Sequence, residues 1–469
     1  SNGRPPPWKE NPAMHKRDVI VIGGSAAGIM AATTVKRRHP EKRVTMIRNV
    51  SKTPVPCGIP YIYGTLKAVE KNIIPDDKLL AMGIEIVADQ VEAVQRADKS
   101  VHLAQHETLQ YDKLILATGS KPLVPPLPGV ELDNVFTVAK NPFFLQKIFT
   151  ALQQARNVVI IGGGFIGAEM AEQIATLQQE MAAETSIALV EMLPTCLMLA
   201  CEQEFGTEAE NELRKLGVAV HTSSQVQQLC DDGQGQVRAV ALADGRELPA
   251  DLVILGIGAL PNIELAEQMG LKTDVRLGVA VNDQMATADP DIYAAGDCAS
   301  KASFFRDEPS CIRLASVAAT EGMIAASNLY GRGIRRSKGA VGAFATKIGE
   351  RSIGAAGYTS RAAAAEGLDV VIGEAVAPNR HPGGLPGCIP DTRVKLLFRR
   401  DSGVIIGGHV CGGEATADMA NVIAVAIQAR LTAEDLATMQ YATHPLLTAS
   451  PLSYHIMLAA EFAASQLAD

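Results

Sequence analysis

The segment Ser51-Lys52-Thr53-Pro54-Val55-Pro56-Cys57-Gly58-Ile59-Pro60-Tyr61 sets one cysteine among prolines and beside a glycine. The reactive form of a cysteine is its thiolate, and a helix N-terminus or a nearby cation lowers the pKa that controls it. The prolines fix the course of the loop. The next cysteine in the chain is Cys196, so Cys57 has no sequence neighbour to pair with. A lone cysteine cannot store two electrons as an internal disulfide. It can hold them as a mixed disulfide with a small thiol, or pass through a sulfenic acid. The plain alternative is an inert buried cysteine, since free cysteine is among the most buried residue types.

Such a thiol needs an electron source, and the chain carries two glycine turns suited to binding one. Val19-Ile20-Val21-Ile22 reads as a buried parallel strand, followed by Gly23-Gly24-Ser25-Ala26-Ala27-Gly28 and an Ala-rich helix toward Arg38. The plan returns at Val158-Val159-Ile160-Ile161, Gly162-Gly163-Gly164-Phe165-Ile166-Gly167 and a second helix. In a dinucleotide fold the first glycine makes the turn, the second admits the pyrophosphate, and the third lets helix pack on strand. Free N–H groups at the helix start then face the phosphates. The second turn matches G-x-G-x-x-G in full, whereas the first has Ser25 at its middle glycine. One such turn alone is common in any α/β protein; two in strand–turn–helix context point to nucleotide binding.

The strand Ser186–Val190 leads into Glu191, a carboxylate able to accept from a free ribose 2′-hydroxyl and to repel a 2′-phosphate. That favours NADH, with NADPH still possible. The first unit's second strand ends at Arg48, where an acid is usual. Arg48 either contacts phosphate or adenine, or is a solvent-exposed strand-end charge.

At 469 residues, 47% of them hydrophobic and 20% charged, the chain has material for two or three packed domains. The formal net charge of -8 argues against a nucleic-acid partner. Eight scattered cysteines suggest a reducing compartment, no apolar run reaches membrane-span length, and residues 1–16 read as a disordered leader with Met14 a plausible start. The expected location is cytoplasmic. The nine histidines form no HExxH run, so no metal site is expected.

Further segments carry a resemblance. Leu114-Ile115-Leu116-Ala117-Thr118-Gly119-Ser120-Lys121-Pro122 resembles a joining segment of two-dinucleotide flavoproteins. Leu252–Gly258 with Pro261-Asn262 looks like its return, and Thr287 to Asp297 is similar to a second FAD fingerprint. Together they resemble the pyridine nucleotide–disulfide oxidoreductases. Pro56-Cys57-Gly58-Ile59-Pro60-Tyr61, with Lys52 where dithiol members carry a second cysteine, resembles the single-cysteine branch of coenzyme A-disulfide reductases, NADH oxidases and polysulfide reductases.

The resemblance implies an α/β fold: an FAD domain over 17–120 and 256–335, an NAD(P)H domain over 121–255, and an α+β dimerisation domain over 336–469. It implies a homodimer in which that last domain completes the partner's site. Expected cofactor contacts are Gly23, Ser25, Gly28, Arg48, Ser51, Thr118, Gly119 and Asp297, and, in the second unit, Gly162, Gly164, Gly167, Glu191 and Gly258. Gly58 would let flavin approach the sulfur.

Where coenzyme A-disulfide reductases place tyrosines, this chain has His381 in Arg380-His381-Pro382-Gly383 and His444 in Tyr441-Ala442-Thr443-His444-Pro445. Histidine can protonate a leaving thiolate at neutral pH, so both are candidate general acids, and the exchange unsettles coenzyme A disulfide as substrate. Loop histidines are as readily structural. Cys388 or Cys411 could serve as a resolving thiol from across a dimer interface, as the resemblance to mercuric reductases implies. Lys36-Arg37-Arg38 with Lys42 and Arg43 could meet coenzyme A phosphates, or simply favour a helix C-terminus. The leading expectation is reduction of a small disulfide, persulfide or polysulfide through a Cys57 mixed disulfide. An NADH oxidase or peroxidase is the alternative, although Ser25-Ala26-Ala27 lacks the histidine of peroxidase members. A non-catalytic NADH-binding flavoprotein is the third.

Overall fold

The computed structural model describes residues 16–181, 185–331 and 333–468. The leader therefore lies outside the described residues, except that Lys16 already belongs to the first strand. Strands β1 (Lys16–Ile22), β2 (Val44–Arg48), β3 (Ile84–Ala88), β4 (Val91–Gln95), β5 (Ser100–Leu103) and β6 (Leu109–Leu116) form one sheet in the order β3-β2-β1-β6-β5-β4. β1 runs parallel to β2 and β6, and Ile292–Ala294 joins β6 from the far side, also parallel. The continuous β-branched run of β1 is fully buried from Val19 to Ile22, as a central parallel strand requires. Helix α1 (Ala26–Arg38) follows the first glycine turn.

The second unit is a five-stranded parallel sheet built around Asn157–Ile161, with α2 (Phe165–Met181) rising from the second glycine turn. It is entered and left through a two-stranded antiparallel ribbon, Ser120–Pro122 against Ala259–Pro261. These are the two segments singled out as joining and return stretches. The C-terminal unit is a five-stranded antiparallel sheet, opened by the hairpin Ala343–Ile348 and Arg351–Gly357. Helices Thr416–Ala429 and His455–Ala468 cover it, the latter pressed so close that a methyl at Gly373 would lie 1.7 Å from the Ala459 carbonyl oxygen. Among the described residues no helix is long and apolar enough to cross a membrane.

The apolar interior of the second unit extends beyond it. Ile160, Met170, Ile174 and Phe205 share one cluster with Ile59, Ile62 and Tyr63 from the Cys57 loop, and with Ile348, Ile353 and Cys411 from the C-terminal sheet. Phe205, 1% exposed, lies against the ring of His409 at 5.7 Å between centroids. Phe205→Ala removes a large buried side chain at this junction and should cost about 3–5 kcal/mol. Urea unfolding should show a lower midpoint at an unchanged slope.

Candidate active site

Both glycine turns open on one cavity of about 1920 Å³, and Cys57 lines it. The third glycines act by packing: a methyl on Gly28 would lie 1.9 Å from the Gly23 carbonyl oxygen, and one on Gly167 1.8 Å from that of Gly162. Neither lines the cavity, so their expected contact with cofactor is replaced by support of the turn. At Gly164 a methyl would meet nothing within 4 Å, which leaves room for a pyrophosphate. Ser25 makes no side-chain cap to α1, so the helix start keeps its N–H groups for a ligand. Gly23, Ser25, Thr118, Gly119, Gly162, Gly164, Glu191, Gly258 and Asp297 all line the same space.

The polar residues of the cavity are held by short bonds. Glu191 accepts from the Gly163 amide at 2.6 Å and from the Leu193 amide at 2.7 Å, which aims its carboxylate at the second turn. Thr118 and Asn262 hold each other, hydroxyl to carbonyl at 2.9 Å and amide to carbonyl at 2.8 Å. Asp297 accepts from Ser120 Oγ at 2.7 Å and pairs with Lys140 Nζ at 3.2 Å. Burial works to raise its pKa, but the Lys140 charge and these bonds outweigh it and hold the carboxyl below its usual range.

Cys57 sits in a short 3-10 turn, Pro56–Gly58, with its sulfur open to the cavity. The expected thiol of lowered pKa is corrected here. Desolvation inside the cavity pushes the pKa up, Glu169 pushes it further, and Lys140 only partly opposes them. A three-residue turn has no extended helix start to offer the sulfur. Gly58 also has a different reason from the expected one: a methyl there would lie 2.0 Å from Asn72 Oδ1. Asn72 donates to the Val55 carbonyl at 3.0 Å and so ties down the loop.

Glu169 and Lys140 escaped attention in the sequence, though Glu169 stands two residues beyond the last glycine of the second turn. Burial, with Glu172 adding to it, lifts Glu169 to about 7 against the opposing 2.7 Å bond from Thr346 Oγ1. Tyr61 is pushed up to about 12 by burial, then by Glu169 and Glu172. Phe165 stacks on Phe344 of the C-terminal hairpin at 5.3 Å, and both line the cavity.

Arg48, Ser51 and Cys411 depart from their expected roles. Arg48 is neither a solvent-exposed charge nor turned to a phosphate; its guanidinium is buried against Asp76 at 2.6 Å. Ser51 does not line the cavity, and its carbonyl accepts from Arg48 at 2.6 Å. Cys411 is 4% exposed in the core, with burial pushing its thiol up to about 12, which removes it as a resolving thiol. Cys388 is half-buried in a loop that does not line the cavity of its own chain. Lys36 caps the carbonyls of Pro40 and Lys42, while Lys42 and Arg43 pair with Asp18. His381 and His444 occupy adjoining loops, His381 N–H donating to the Pro445 carbonyl at 3.1 Å, and neither lines the Cys57 cavity of its own chain.

His102 and His106 stand four apart, but on β5 and the turn after it. His106 Nδ1 lies 2.7 Å from Asp89. No group of three metal-binding side chains occurs among the described residues.

Residues 17–322 match the family model for pyridine nucleotide-disulphide oxidoreductases, and residues 345–452 match that family's dimerisation domain. The chain belongs to the pyridine nucleotide-disulphide oxidoreductases. It is 30% identical to an NADH oxidase of Methanocaldococcus jannaschii, across 96% of this chain and 99% of that one. It is 31% identical to an NAD(P)H coenzyme A polysulfide/persulfide reductase of Pyrococcus horikoshii, across 81% of this chain and 86% of the relative. An NAD-dependent persulfide reductase from A. fulgidus superposes with a TM-score of 0.86 at 28% identity, covering 96% of this chain and 83% of that one. The protein is thus an NAD(P)H-dependent oxidoreductase of a family that uses FAD, and its two glycine turns and the large cavity they share fit both nucleotides.

The charges around Cys57 can be tested singly. Glu169→Gln should lower the Cys57 pKa and Lys140→Met should raise it. After reduction and removal of small thiols, the pH dependence of iodoacetamide alkylation at Cys57 measures both, and shifts of opposite sign are the expected result.

Proposed function

We propose that this oxidoreductase passes the electrons of NAD(P)H, by way of bound FAD, to a small disulfide, persulfide or polysulfide, with Cys57 resting as a mixed disulfide and coenzyme A as the thiol it favours. The observation that carries this reading is that Cys57 is, among the described residues, the one cysteine lining the cavity shared by both glycine turns. A single accessible thiol there calls for a partner thiol from outside the chain.

The balance is NADH + H⁺ + RSSR → NAD⁺ + 2 RSH. Bound FAD supplies the exchange between hydride and thiol chemistry. Two electrons and one proton cleave Cys57–S–S–R to the Cys57 thiolate and RSH. The thiolate then attacks the next RSSR, forms a new Cys57–S–S–R bond and expels RS⁻, which takes a proton. Glu191 orients the ribose hydroxyls of the nucleotide and favours NADH. Asp297, kept ionised, accepts from the ribityl chain of FAD, while Thr118 and Gly119 shape the passage between the two halves.

His381 and His444 are the proposed acids, acting across a homodimer. His381 Nδ1 lies 3.1 Å from the Thr448 carbonyl, the partner of an Nδ1–H tautomer, which leaves Nε2 for proton exchange. The exposed Leu446, Leu447 and Leu452 beside them support a protein contact at these loops. A second reading, an NADH oxidase cycling Cys57 through sulfenic acid, draws support from the Methanocaldococcus jannaschii relative.

Mass analysis of the chain, denatured without reductant, separates the two. A reductant-labile coenzyme A adduct or extra sulfur on Cys57 is expected; a single added oxygen would favour the oxidase. Cys57→Ser should lose NADH-dependent disulfide turnover, and full retention would end the scheme.

A further inference from the structure

The limbs of the Cys57 loop are joined at successive levels from its base upward. The loop leaves β2 immediately after Arg48 and reaches its far end at Asp76, before the short helix Asp77–Ala81. At that base Arg48 Nη1 donates to Asp76 Oδ1 at 2.8 Å and Nη2 to Oδ2 at 2.6 Å, with Nη2 also reaching the Ser51 carbonyl at 2.6 Å. The Arg48 side chain is 4% exposed. One level up, the Ile74 amide donates to the Thr53 carbonyl at 2.9 Å. Above that, the Val55 amide donates to the Asn72 carbonyl at 2.9 Å, and the Asn72 side chain returns to the Val55 carbonyl. Asn72 then fills the space beside Gly58, next to the thiol.

We propose that Arg48 and Asp76 form a clamp at the base of this loop, and that Arg48 is a positioning residue for Cys57, not a ligand of the cofactor. A bidentate guanidinium–carboxylate pair fixes angle as well as distance. Both Nη atoms are committed to the loop, and Nε is buried without a hydrogen-bond partner. Arg48 is among the residues bordering the cavity, and its stem packs over Gly24, where a methyl would lie 2.8 Å from Arg48 Cδ. Asp76 does not border the cavity at all. That asymmetry makes the two roles separable: a clamp loses its function from either end, whereas a cofactor ligand is lost only with Arg48. The inference rests on Cys57 being the redox centre.

The test compares holoenzymes carrying Arg48→Met, Asp76→Leu, both together, and the milder Arg48→Lys and Asp76→Asn. Each is assayed for FAD affinity by fluorescence titration, Cys57 alkylation rate after reduction and removal of small thiols, dye reduction by NADH, and disulfide kcat. Either single apolar variant should lower disulfide kcat by about 100-fold, the scale of a reacting group misplaced by about 1 Å. Each should also change the alkylation rate, while FAD affinity and dye reduction stay within about twofold of wild type. The double variant should be no more impaired than the worse single one, because either change alone already breaks the clamp. Arg48→Lys, unable to bond in bidentate fashion, should fall between wild type and Arg48→Met. Loss of FAD in the Arg48 variants with unimpaired Asp76 variants would overturn the clamp, as would unchanged alkylation and kcat throughout. Cys57→Ser run alongside separates this from failure of the functional reading: if disulfide turnover survives that change, the reading fails, whereas the alkylation rate still reports on the clamp.

Discussion

A helix can bind two neighbours at once only where its side-chain spacing suits both, and α2 meets that condition with polar groups on each flank. On one side Gln173 Oε1 accepts from the Thr65 amide at 3.0 Å and from its hydroxyl at 2.8 Å, just past the Cys57 loop. A methyl on Gly64 would lie 2.4 Å from the Gln173 carbonyl oxygen, so helix and loop are in direct backbone contact. Toward the C-terminal hairpin, Glu169 accepts from Thr346 and Glu172 accepts from the Gly349 amide at 2.9 Å. The start of the same helix borders the cavity through Gly164 and Phe165. The nucleotide turn, the thiol loop and the dimerisation hairpin are thus aligned by one rigid element.

Burial pushes the pKa of two cavity carboxyl groups the same way, but their neighbours leave them with opposite net shifts. Asp297 has a lysine and a hydroxyl at hand and stays ionised, whereas Glu169 has one neutral hydroxyl and a like-charged neighbour in Glu172. Of these two, Asp297 is a fixed charge and Glu169 a group that titrates near neutrality. With its folded pKa raised from 4.5 to about 7, Glu169 favours the folded state fully below its unfolded pKa, and that contribution is lost as pH rises through about 7. Such an environment suits proton exchange beside a thiol.

The fold was legible wherever short-range pattern and physical requirement coincide. Buried β-branched strands followed by glycine turns can do little else, and Val19–Gly28 and Val158–Gly167 read correctly for that reason. The position of Glu191 beside the second turn was legible because its place at a strand end sets its direction. Arg48 was not: nothing near it in sequence indicates Asp76, which the chain brings back only after the Cys57 loop closes. Gly58 suggested cofactor approach, yet its neighbour is Asn72, a contact made through tertiary folding. Cys411 resembled a candidate thiol because alternation along Ile405–Gly412 does not reveal that both sheet faces are covered. The thiol pKa misled for a related reason, since cavity depth and the Glu169 charge arise from elements far apart in sequence.

The shared apolar cluster of the nucleotide unit has one more consequence. Its interior is completed by Ile59, Ile62 and Tyr63 from one side and by Ile348 and Ile353 from another. A stretch of chain that looks interchangeable in a linear diagram is therefore not a transplantable part. Grafting the corresponding unit of a relative would import a surface shaped to a different thiol loop and a different hairpin. Inherited change in nucleotide preference is better accommodated by point replacements at the rim of the turn, around Glu191 and Met192, than by exchange of whole segments.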